Sequence, residues 1–382
     1  MNCVLAQACL SKALKIASKA VTNKPSHPIL ACVQLSAGSD EDNPGSFSIE
    51  ASDLSTSIHR NIEAEVKDVG RLCVPFRPLH DLISRLDSGQ SLMLGSQGSD
   101  LCVTTQTGGT YKIAGYPGAD WISMPVKEDA LQIQANVVKA CHTVSKAIAK
   151  DRPDINGINI RVIDGRLTFA ATDGHRLHTY SHSIEHSDPI PDGAVNVTVP
   201  EAALEIAESS KGEITFTSGA KVVEFRDGKD WVSARIYEKP YPDYPQLVPS
   251  DYRISVTVDR VKLLKLVETV GTVAADAENI MHLGKSTERK NNLVLNAMHT
   301  MGFAKDFIDA EFEYNYDPVA DPTSDDFDCY LNSRFFAEAL RSLEGDQVYI
   351  NWLGRVQPLV LKSDDSEQLC LVMPIQGRAK DE

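Results

Sequence analysis

Hydrophobic and polar residues alternate along much of the chain, and a few segments with a longer period interrupt the alternation. Residues 47–54 (FSIEASDL) and 167–174 (LTFAATDG) place an apolar side chain at nearly every second position, which predicts half-buried β-strands. Residues 5–20 and 135–150 place apolar side chains three and four positions apart, which predicts amphipathic helices. The patterns indicate an α+β fold.

The same order of segments recurs along the chain. In the first copy, a strand-like stretch ends in ASDL, and a helix-like segment and a Pro-rich exit segment follow it. In the second copy, a strand-like stretch ends in ATDG, and the same two kinds of segment follow in the same order. The matching pairs are 51–54 with 171–174, 74–86 with 199–212 and more loosely 331–345, and 116–125 with 240–249. The period of about 125 residues predicts three repeated domains, at residues 1–127, 128–250 and 251–382.

The composition favours a globular protein. The chain has 382 residues, of which 42% are hydrophobic, and no apolar run approaches the roughly 20 residues that cross a bilayer. The N-terminus lacks the pattern of a secretory signal, so we expect a soluble, cytoplasmic protein without a membrane partner. The eight cysteines are scattered without metal-ligand spacing, which favours buried thiols and neither a metal site nor another cofactor.

The charge distribution is uneven. The net charge of −15 argues against a nucleic-acid partner if the charge is spread evenly, yet several predicted helices carry basic stripes. The stripes are Lys12, Lys15 and Lys19; Lys139, His142, Lys146 and Lys150; Arg260, Lys262 and Lys265; and Arg334 with Arg341. The segment with Glu201, Glu205 and Glu208 is an exception. Most such stripes are solvated helix faces, but recurrence in each repeat indicates a lining that attracts a polyanion.

The run ATDGHRLHTY, residues 171–180, gathers residue types that catalysis uses. A hydrolase in which Asp173 orients His175 as a general base is one interpretation, but the sequence has no GxSxG nucleophile motif. We favour a turn in which the Asp173 carboxylate accepts backbone N–H groups before Gly174. Residues 282–287 (HLGKST) resemble the end of a P-loop motif, but Asn279 occupies the position of the first glycine of that motif. A surface loop is therefore expected.

Five motifs in this order resemble the bacterial DNA polymerase III beta subunit, the replication sliding clamp. They are HPILACVQL, VPFRPLHDLI, ATDGHRL, YPDYPQLVP and LCLVMPI. The resemblance implies the DNA clamp fold, in which each of three domains places two helices inside and two antiparallel sheets outside. It also implies a homodimeric ring that surrounds double-stranded DNA without reading sequence, has no catalytic activity, and confers processivity.

The resemblance further implies a hydrophobic cleft for peptides from the DNA polymerase III catalytic subunit, the clamp loader, other polymerases and repair proteins. Its walls would be Ile155, Thr172, Gly174, His175, Arg176, Leu177, Pro242, Leu247, Leu371, Val372, Met373, Pro374 and Ile375. DNA contacts would come from Lys12, Lys15, Lys19, Lys24, Lys139, Lys146, Lys150 and Arg152. The dimer contact would join Tyr111 and Ile113 to Thr272 and Val273 of a second copy.

Two segments depart from the family pattern. The chain continues after its MPI tripeptide with QGRAKDE, a tail that would hang free or lie across the cleft. The third domain has an acidic stretch, NYDPVADPTSDDFD, expected to be a solvated loop, and its NAMHTMGFAKDF segment replaces a more typical acidic and polar strand pair. A divergent clamp homologue with a role in repair, drug tolerance or a mobile element is therefore an alternative.

Overall fold

The computed structural model describes most of the chain. The described residues are 1–22, 24–38, 45–124, 131–152, 154–184, 190–208, 214–218, 221–275, 278–300, 302–315, 327–364 and 367–376. The predicted linker near residue 127, most of the expected acidic loop and the tail beyond Gln376 lie outside them.

Five α-helices and 26 strands alternate along these residues. The first third contains β1 (Asn2–Ala6), α1 (Gln7–Ala17), β2 (Cys32–Ala37), β3 (Ser46–Ser52), β4 (Thr56–Asp68), β5 (Gly70–Pro75), α2 (Phe76–Arg85), β6 (Ser91–Gln97), β7 (Asp100–Thr105), β8 (Thr110–Ile113) and β9 (Tyr116–Pro117). The middle third contains β10 (Leu131–Ala135), α3 (Val137–Val144), β11 (Ile158–Ile163), β12 (Arg166–Thr172), β13 (Arg176–Ser183), β14 (Asn196–Val199), β15 (Ile214–Ser218), β16 (Val222–Asp227) and β17 (Asp230–Arg235).

The last third follows a similar order of elements, with five strands between its two helices where the first third has four. It contains β18 (Ile254–Asp259), α4 (Arg260–Ala274), β19 (Ile280–Lys285), β20 (Asn292–His299), β21 (Gly302–Asp309), β22 (Glu311–Tyr314), β23 (Asp328–Asn332), α5 (Ser333–Ser342), β24 (Gln347–Trp352), β25 (Leu359–Ser363) and β26 (Gln368–Val372). In each third, a strand leads directly into the first helix, and strands separate that helix from the next helical segment.

The contacts divide the chain into two compact units. One unit comprises Met1–Val138 and Val199–Tyr237, and the other comprises Lys139–Thr198 and Glu238–Glu382. Each unit therefore takes part of the predicted middle domain. The division into three domains at residues 127 and 250 stays a prediction.

The first unit is built on a 13-stranded antiparallel sheet. Its main path runs β10-β15-β16-β17-β4-β1-β6-β7-β8, and β2, β3, β5 and β9 join through β4. Alternation of buried and exposed residues on β1 and β7 matches the predicted period of two. Strand β8 lies at one end of the path and pairs only with β7 among the described strands.

The second unit contains a nine-stranded and a four-stranded sheet. The larger sheet runs β14-β11-β12-β13-β26-β25-β24-β18-β22, and the smaller runs β21-β20-β19-β23. Helices α4 and α5 pack on these sheets around a core that includes Leu263, Phe336 and Trp352. Because β26 pairs with β13, the C-terminal strand lies beside the ATDGHRL segment.

The predicted helices are shorter in the structure. Residues 5–20 were expected to form one helix, but Leu5 belongs to β1, where it pairs with both β4 and β6, and Ser18–Ala20 form a 3-10 turn. Strand pairing on both sides takes precedence over the local helical pattern. Similarly, Ala135 pairs with Ile214 in β10, so α3 begins only at Val137.

Three further expectations are corrected. After α3 ends, Ser145–Ala147 form a 3-10 turn and Ile148 is extended, so Lys150 does not share a helix face with Lys139. Glu201–Glu208 form a 3-10 helix in place of an α-helix. The HLGK residues of the expected surface loop form the end of β19, which is paired on both sides, so their burial in a sheet overrides the loop prediction.

The described residues contain neither a membrane-spanning helix nor a cluster of metal-ligating side chains. No helix there is long and apolar enough to cross a membrane. No group of three or more His, Cys, Asp or Glu side chains in the same part of the chain is placed to hold a metal ion.

Candidate peptide-binding cleft

The turn between β12 and β13 is stabilised by Asp173. Its Oδ1 accepts hydrogen bonds from the backbone N–H groups of His175, at 3.0 Å, and Arg176, at 3.1 Å. Gly174 has a φ of +88°, a conformation that side chains disfavour, and the Nη1 of Arg152 lies 2.6 Å from where its Cβ would stand. The turn predicted from the sequence is confirmed, and the Asp173 carboxylate is occupied by backbone donors and by Arg176.

Arg176 joins three segments and is only 8% exposed. Its Nε donates to Asp173 Oδ2 at 3.0 Å, its Nη1 donates to Glu338 on α5, and its Nη2 donates to the carbonyl oxygen of Lys146. Burial alone would raise the pKa of Glu338, but the hydrogen bonds and charges of Arg176 and Arg334 outweigh it and lower that pKa. Arg176 therefore stabilises the turn that forms the cleft, and its guanidinium group is not free to bind a ligand.

Phe335 brings an aromatic ring to the same turn. Its ring stacks on His175 with centroids 6.2 Å apart, and the guanidinium carbon of Arg176 lies 4.4 Å from its centroid. Phe335 was not among the residues predicted for the cleft, because it lies at the start of α5, about 160 residues away along the chain. The only local signal was Asn332, whose side chain accepts from the N–H groups of Arg334 and Phe335 and so begins the helix.

The C-terminal strand forms the adjoining wall. In the register of β13 and β26, Leu177 lies opposite Leu371 and Arg176 lies opposite Val372. The N–H of Met373 then donates to the carbonyl of His175 at 2.8 Å. Leu177 and Leu371 are each 2% exposed, whereas the Met373 side chain is 40% exposed. Met373 is thus the apolar side chain that this wall offers to a ligand.

The segment that precedes β18 covers part of the sheet. Tyr244 packs on Ala170, Leu177, Val360 and Leu371, and the guanidinium carbon of Arg161 lies 4.2 Å from its ring centroid. Burial raises the pKa of Tyr244 to about 12.

The same segment contacts the turn and carries an exposed leucine. The Tyr241 hydroxyl accepts from the N–H of Thr172 at 3.0 Å, and the Pro242 carbonyl accepts from the N–H of Tyr244 at 2.9 Å. Leu247 is 55% exposed. The structure thus links the predicted positions Thr172 to Leu177, Leu371 to Met373 and the segment with Pro242 by direct contacts.

The remaining predicted wall positions are Ile155, Pro374 and Ile375. Ile155 is 3% exposed and therefore belongs to the buried core. Pro374 and Ile375 continue from Met373, and the N–H of Ile375 donates to the carbonyl of Tyr330 at 2.7 Å, which fixes the strand end to β23.

The first repeat fills the equivalent position with its own side chains. Asp53 forms the same kind of turn, with its Oδ1 accepting from the N–H groups of Ser55 and Thr56. Leu54 stands where the second repeat has Gly174, with a φ of 69°. It packs with Trp121 against a buried cluster that includes Ile29 and Cys73. In the second repeat, Gly174 has no side chain, and the Arg152 guanidinium group occupies the space next to it.

The predicted DNA contacts differ in their surroundings. Lys12, Lys15, Lys24, Lys146 and Lys150 are exposed. Lys19 forms an ion pair with Glu205 at 3.1 Å, and Lys139 forms one with Glu344 at 3.3 Å. Arg152 pairs with Asp154 at 3.1 Å and lies over Gly174, so its guanidinium group borders the cleft.

The predicted dimer residues lie on an edge strand and at a helix end. Tyr111 and Ile113 are on β8, the last strand of its sheet, and Tyr111 is 41% exposed. Thr272 and Val273 lie in the last turn of α4, and a Cγ of Val273 is 3.9 Å from the Cβ position of Gly302 at the start of β21. Met298 and Phe303, paired across the β20–β21 hairpin, are 68% and 58% exposed.

Known proteins are similar to this chain in sequence. Residues 1–125 match the model of the N-terminal domain of the DNA polymerase III beta subunit. A beta sliding clamp of Synechococcus elongatus is 28% identical over 99% of this chain and 100% of its own length. The resemblance inferred from the motifs is confirmed. A beta sliding clamp of Staphylococcus epidermidis is 22% identical over 94% of both chains.

Solved structures show the same fold. The DNA polymerase III beta subunit of Thermotoga maritima superposes with a TM-score of 0.80, at 20% identity, over 98% of this chain and 99% of that one. The sliding clamp of Bacillus subtilis gives 0.81 at 18% identity over 99% of both. A sliding clamp of Pseudomonas aeruginosa, solved bound to griselimycin, gives 0.81 at 19% identity over 99% of this chain and 100% of that chain. The chain therefore has the DNA clamp fold.

Proposed function

We propose that this chain is a DNA sliding clamp that closes as a dimeric ring around duplex DNA and tethers a DNA polymerase to its template. The observation that carries the proposal is the cleft at the β12–β13 turn, where exposed Met373 adjoins the His175–Phe335 pair. Such a cleft suits short peptides that share apolar anchors and differ elsewhere, because a flexible methionine side chain adapts to different partners. The protein would act as a non-catalytic subunit.

The exposed lysines support sequence-independent DNA binding. Lys12 and Lys15 are exposed on α1, whose opposite face is buried. Contacts between lysines and phosphates position a protein on DNA but carry no sequence information, so the protein can slide. The net charge of −15 restricts the attraction to surfaces where basic residues collect.

The edge strand β8 supports the proposal that two copies of the chain close into a ring. An edge strand leaves backbone N–H and C=O groups available for pairing with another strand. Tyr111 on β8 and the apolar pair Met298 and Phe303 are exposed, and apolar side chains of this kind are enriched in the cores of interfaces. We propose that β8 of one copy meets the end of α4 and the β20–β21 hairpin of the other.

The expected partners follow from this role. They are double-stranded DNA, the catalytic subunit of DNA polymerase III, the clamp loader, and other polymerases and repair proteins that carry clamp-binding peptides. No cofactor is needed, because tethering requires only the ring and the cleft.

Primer extension on a long, singly primed template tests the proposal. The chain is loaded with a bacterial clamp loader, and product length is measured after a single binding event of the polymerase. Products several times longer with the chain than without it are expected. Product lengths that do not change, together with a monomeric mass near 41.8 kDa in light scattering, would contradict the proposal.

A further inference from the structure

A second cavity lies beside the apolar cluster that Tyr244 covers. Its volume is about 410 Å³, and Thr179, Tyr349, Asn351, Lys362 and Leu369 are among its lining residues. Leu369 also packs against the apolar cluster of Leu177, Val360 and Leu371. None of the candidate cleft residues lines this cavity, so it is a distinct feature of the sheet.

The strand register explains why these side chains stand together. Thr179 lies opposite Leu369, Leu369 lies opposite Lys362, and Lys362 lies opposite Tyr349. The four residues therefore form one row across β13, β26, β25 and β24. Side chains two positions apart on a strand share a face, so Thr179 and Leu177 lie on the same side of the sheet, about 7 Å apart along the strand.

Lys362 supplies the uncompensated charge of the cavity. Its ammonium group lies 5.7 Å from the ring centroid of Tyr252, and no carboxylate of the described residues forms an ion pair with it. Glu367 also lines the cavity, but its carboxylate accepts a hydrogen bond from the Tyr180 hydroxyl at 3.3 Å and lies 3.9 Å from Arg166. The Asp364 carboxylate is also close, since it accepts a hydrogen bond from the Tyr349 hydroxyl at 2.7 Å. Among the described lining residues Lys362 is the one cation, so an anion in the cavity would bind beside its ammonium group.

Asn351 adds a neutral donor. Its side chain is 7% exposed, and its Oδ1 accepts a hydrogen bond from the Ser255 hydroxyl at 2.7 Å. Among the described residues, no acceptor is hydrogen bonded to its Nδ2, which leaves an amide N–H group available in the cavity wall. An acceptor on a ligand in the cavity could take a hydrogen bond from this amide group and would be oriented by it.

We propose that this cavity binds the carboxylate of an acidic residue that flanks the apolar anchors of a partner peptide. The inference rests on the proposed function, because the same peptide would occupy the cleft. An ammonium group and an amide N–H together match a carboxylate, and the Thr179 hydroxyl and the Leu369 side chain suit the adjacent peptide. The cavity thereby adds a preference for peptides with Asp or Glu a few residues from the anchors.

Fluorescence anisotropy with labelled synthetic peptides tests the proposal. All peptides share one pair of adjacent large apolar residues. They carry Glu at the second to fourth position on one side or the other, or Gln at the same positions. We expect one Glu peptide to bind the full chain about five- to tenfold more tightly than its Gln counterpart, and Lys362→Met to abolish this difference. Lys290→Met, which changes another exposed lysine, is the control and should leave the difference intact.

The outcomes separate the two proposals. Equal binding of Glu and Gln peptides, or a preference for Glu that survives Lys362→Met, would overturn the cavity assignment and leave the cleft in place. If none of the peptides binds, the proposed cleft and this cavity are both wrong. A preference for Glu that Lys362→Met removes, with unchanged affinity for the Gln peptide, supports the cavity.

Discussion

Arg176 and Glu338 form an ion pair between the β12–β13 turn and helix α5, and both side chains are largely buried, at 8% and 13% exposed. The pair links residues that are far apart in sequence, and it orients Phe335 beside His175. The geometry of the candidate cleft therefore depends on a largely buried ion pair.

Arg176→Met should destabilise the protein by about 3 kcal/mol, because it leaves the Glu338 carboxylate buried without its main partner. Glu338→Gln should cost less, since a neutral amide can still accept a hydrogen bond from Arg176. Urea unfolding monitored by circular dichroism measures both changes. Equal, small effects in the two variants would show that the pair contributes nothing to stability.

Gly174→Ala should cost about 1 to 2 kcal/mol, because alanine disfavours a φ of +88° and its Cβ would meet the Arg152 guanidinium group. Gly165→Ala is a matched control, since Gly165 has a φ of +69° but open space around its Cβ position. The difference between the two unfolding free energies isolates the crowding by Arg152. A larger cost at Gly165 would contradict this explanation.

Stability should fall as the pH decreases from about 6.5 to 4, because His178 is buried as a neutral ring. Burial lowers the pKa of His178 to about 4, and its Nδ1 donates to the carbonyl of Thr143 at 2.9 Å. The unfolded chain takes up a proton near pH 6.5 whereas the folded protein does not, so protons favour unfolding in that window.

His178→Asn should reduce this pH dependence, by at most about 1.4 kcal/mol per pH unit. The measurement is the unfolding free energy at several pH values between 4 and 7. Burial also lowers the pKa of His59 to about 4, so part of the dependence should remain in the variant. His142→Asn, at an exposed position, should change nothing.

Lys146→Glu combined with Lys150→Glu should weaken DNA association and flatten its salt dependence by about two phosphate contacts. Both lysines are exposed, so the folding stability should not change. Anisotropy of a labelled duplex at several salt concentrations measures the slope. Lys67→Glu with Lys290→Glu makes the same change of charge at other exposed positions, and an equal loss there would argue against a localised DNA surface.

Met373→Ala should weaken the binding of an apolar-anchor peptide by about 1 kcal/mol and leave the unfolding free energy nearly unchanged, because the side chain is 40% exposed. Leu177→Ala should instead destabilise the fold by about 2 to 4 kcal/mol, since Leu177 is 2% exposed and packs in the cluster with Tyr244. Calorimetry with the peptide and thermal unfolding of both variants separate the two effects. Full peptide affinity in Met373→Ala would refute the cleft assignment.

The sequence by itself determined the repeated order of elements and the turn at Asp173. Alternation in FSIEASDL and LTFAATDG correctly predicted strands, but these strands are buried on both faces and not half-buried, because each pairs with neighbouring strands inside its sheet. An Asp before Gly174 predicted a turn because a short carboxylate side chain reaches the following N–H groups. The motifs also indicated a resemblance to the DNA polymerase III beta subunit, and the similarity to known beta sliding clamps agrees with it.

Only the tertiary structure decided which of these residues are exposed. Leu177, expected to line the cleft, is 2% exposed because sheet pairing and the segment with Tyr244 cover it, and Ile155 is 3% exposed. Phe335 and the cavity at Lys362 depend on strands and helices that pair over long sequence separations, for which local patterns carry no signal. The helix boundaries at Leu5 and Ala135 were decided in the same way, because strand partners far along the chain outweighed the helical periodicity.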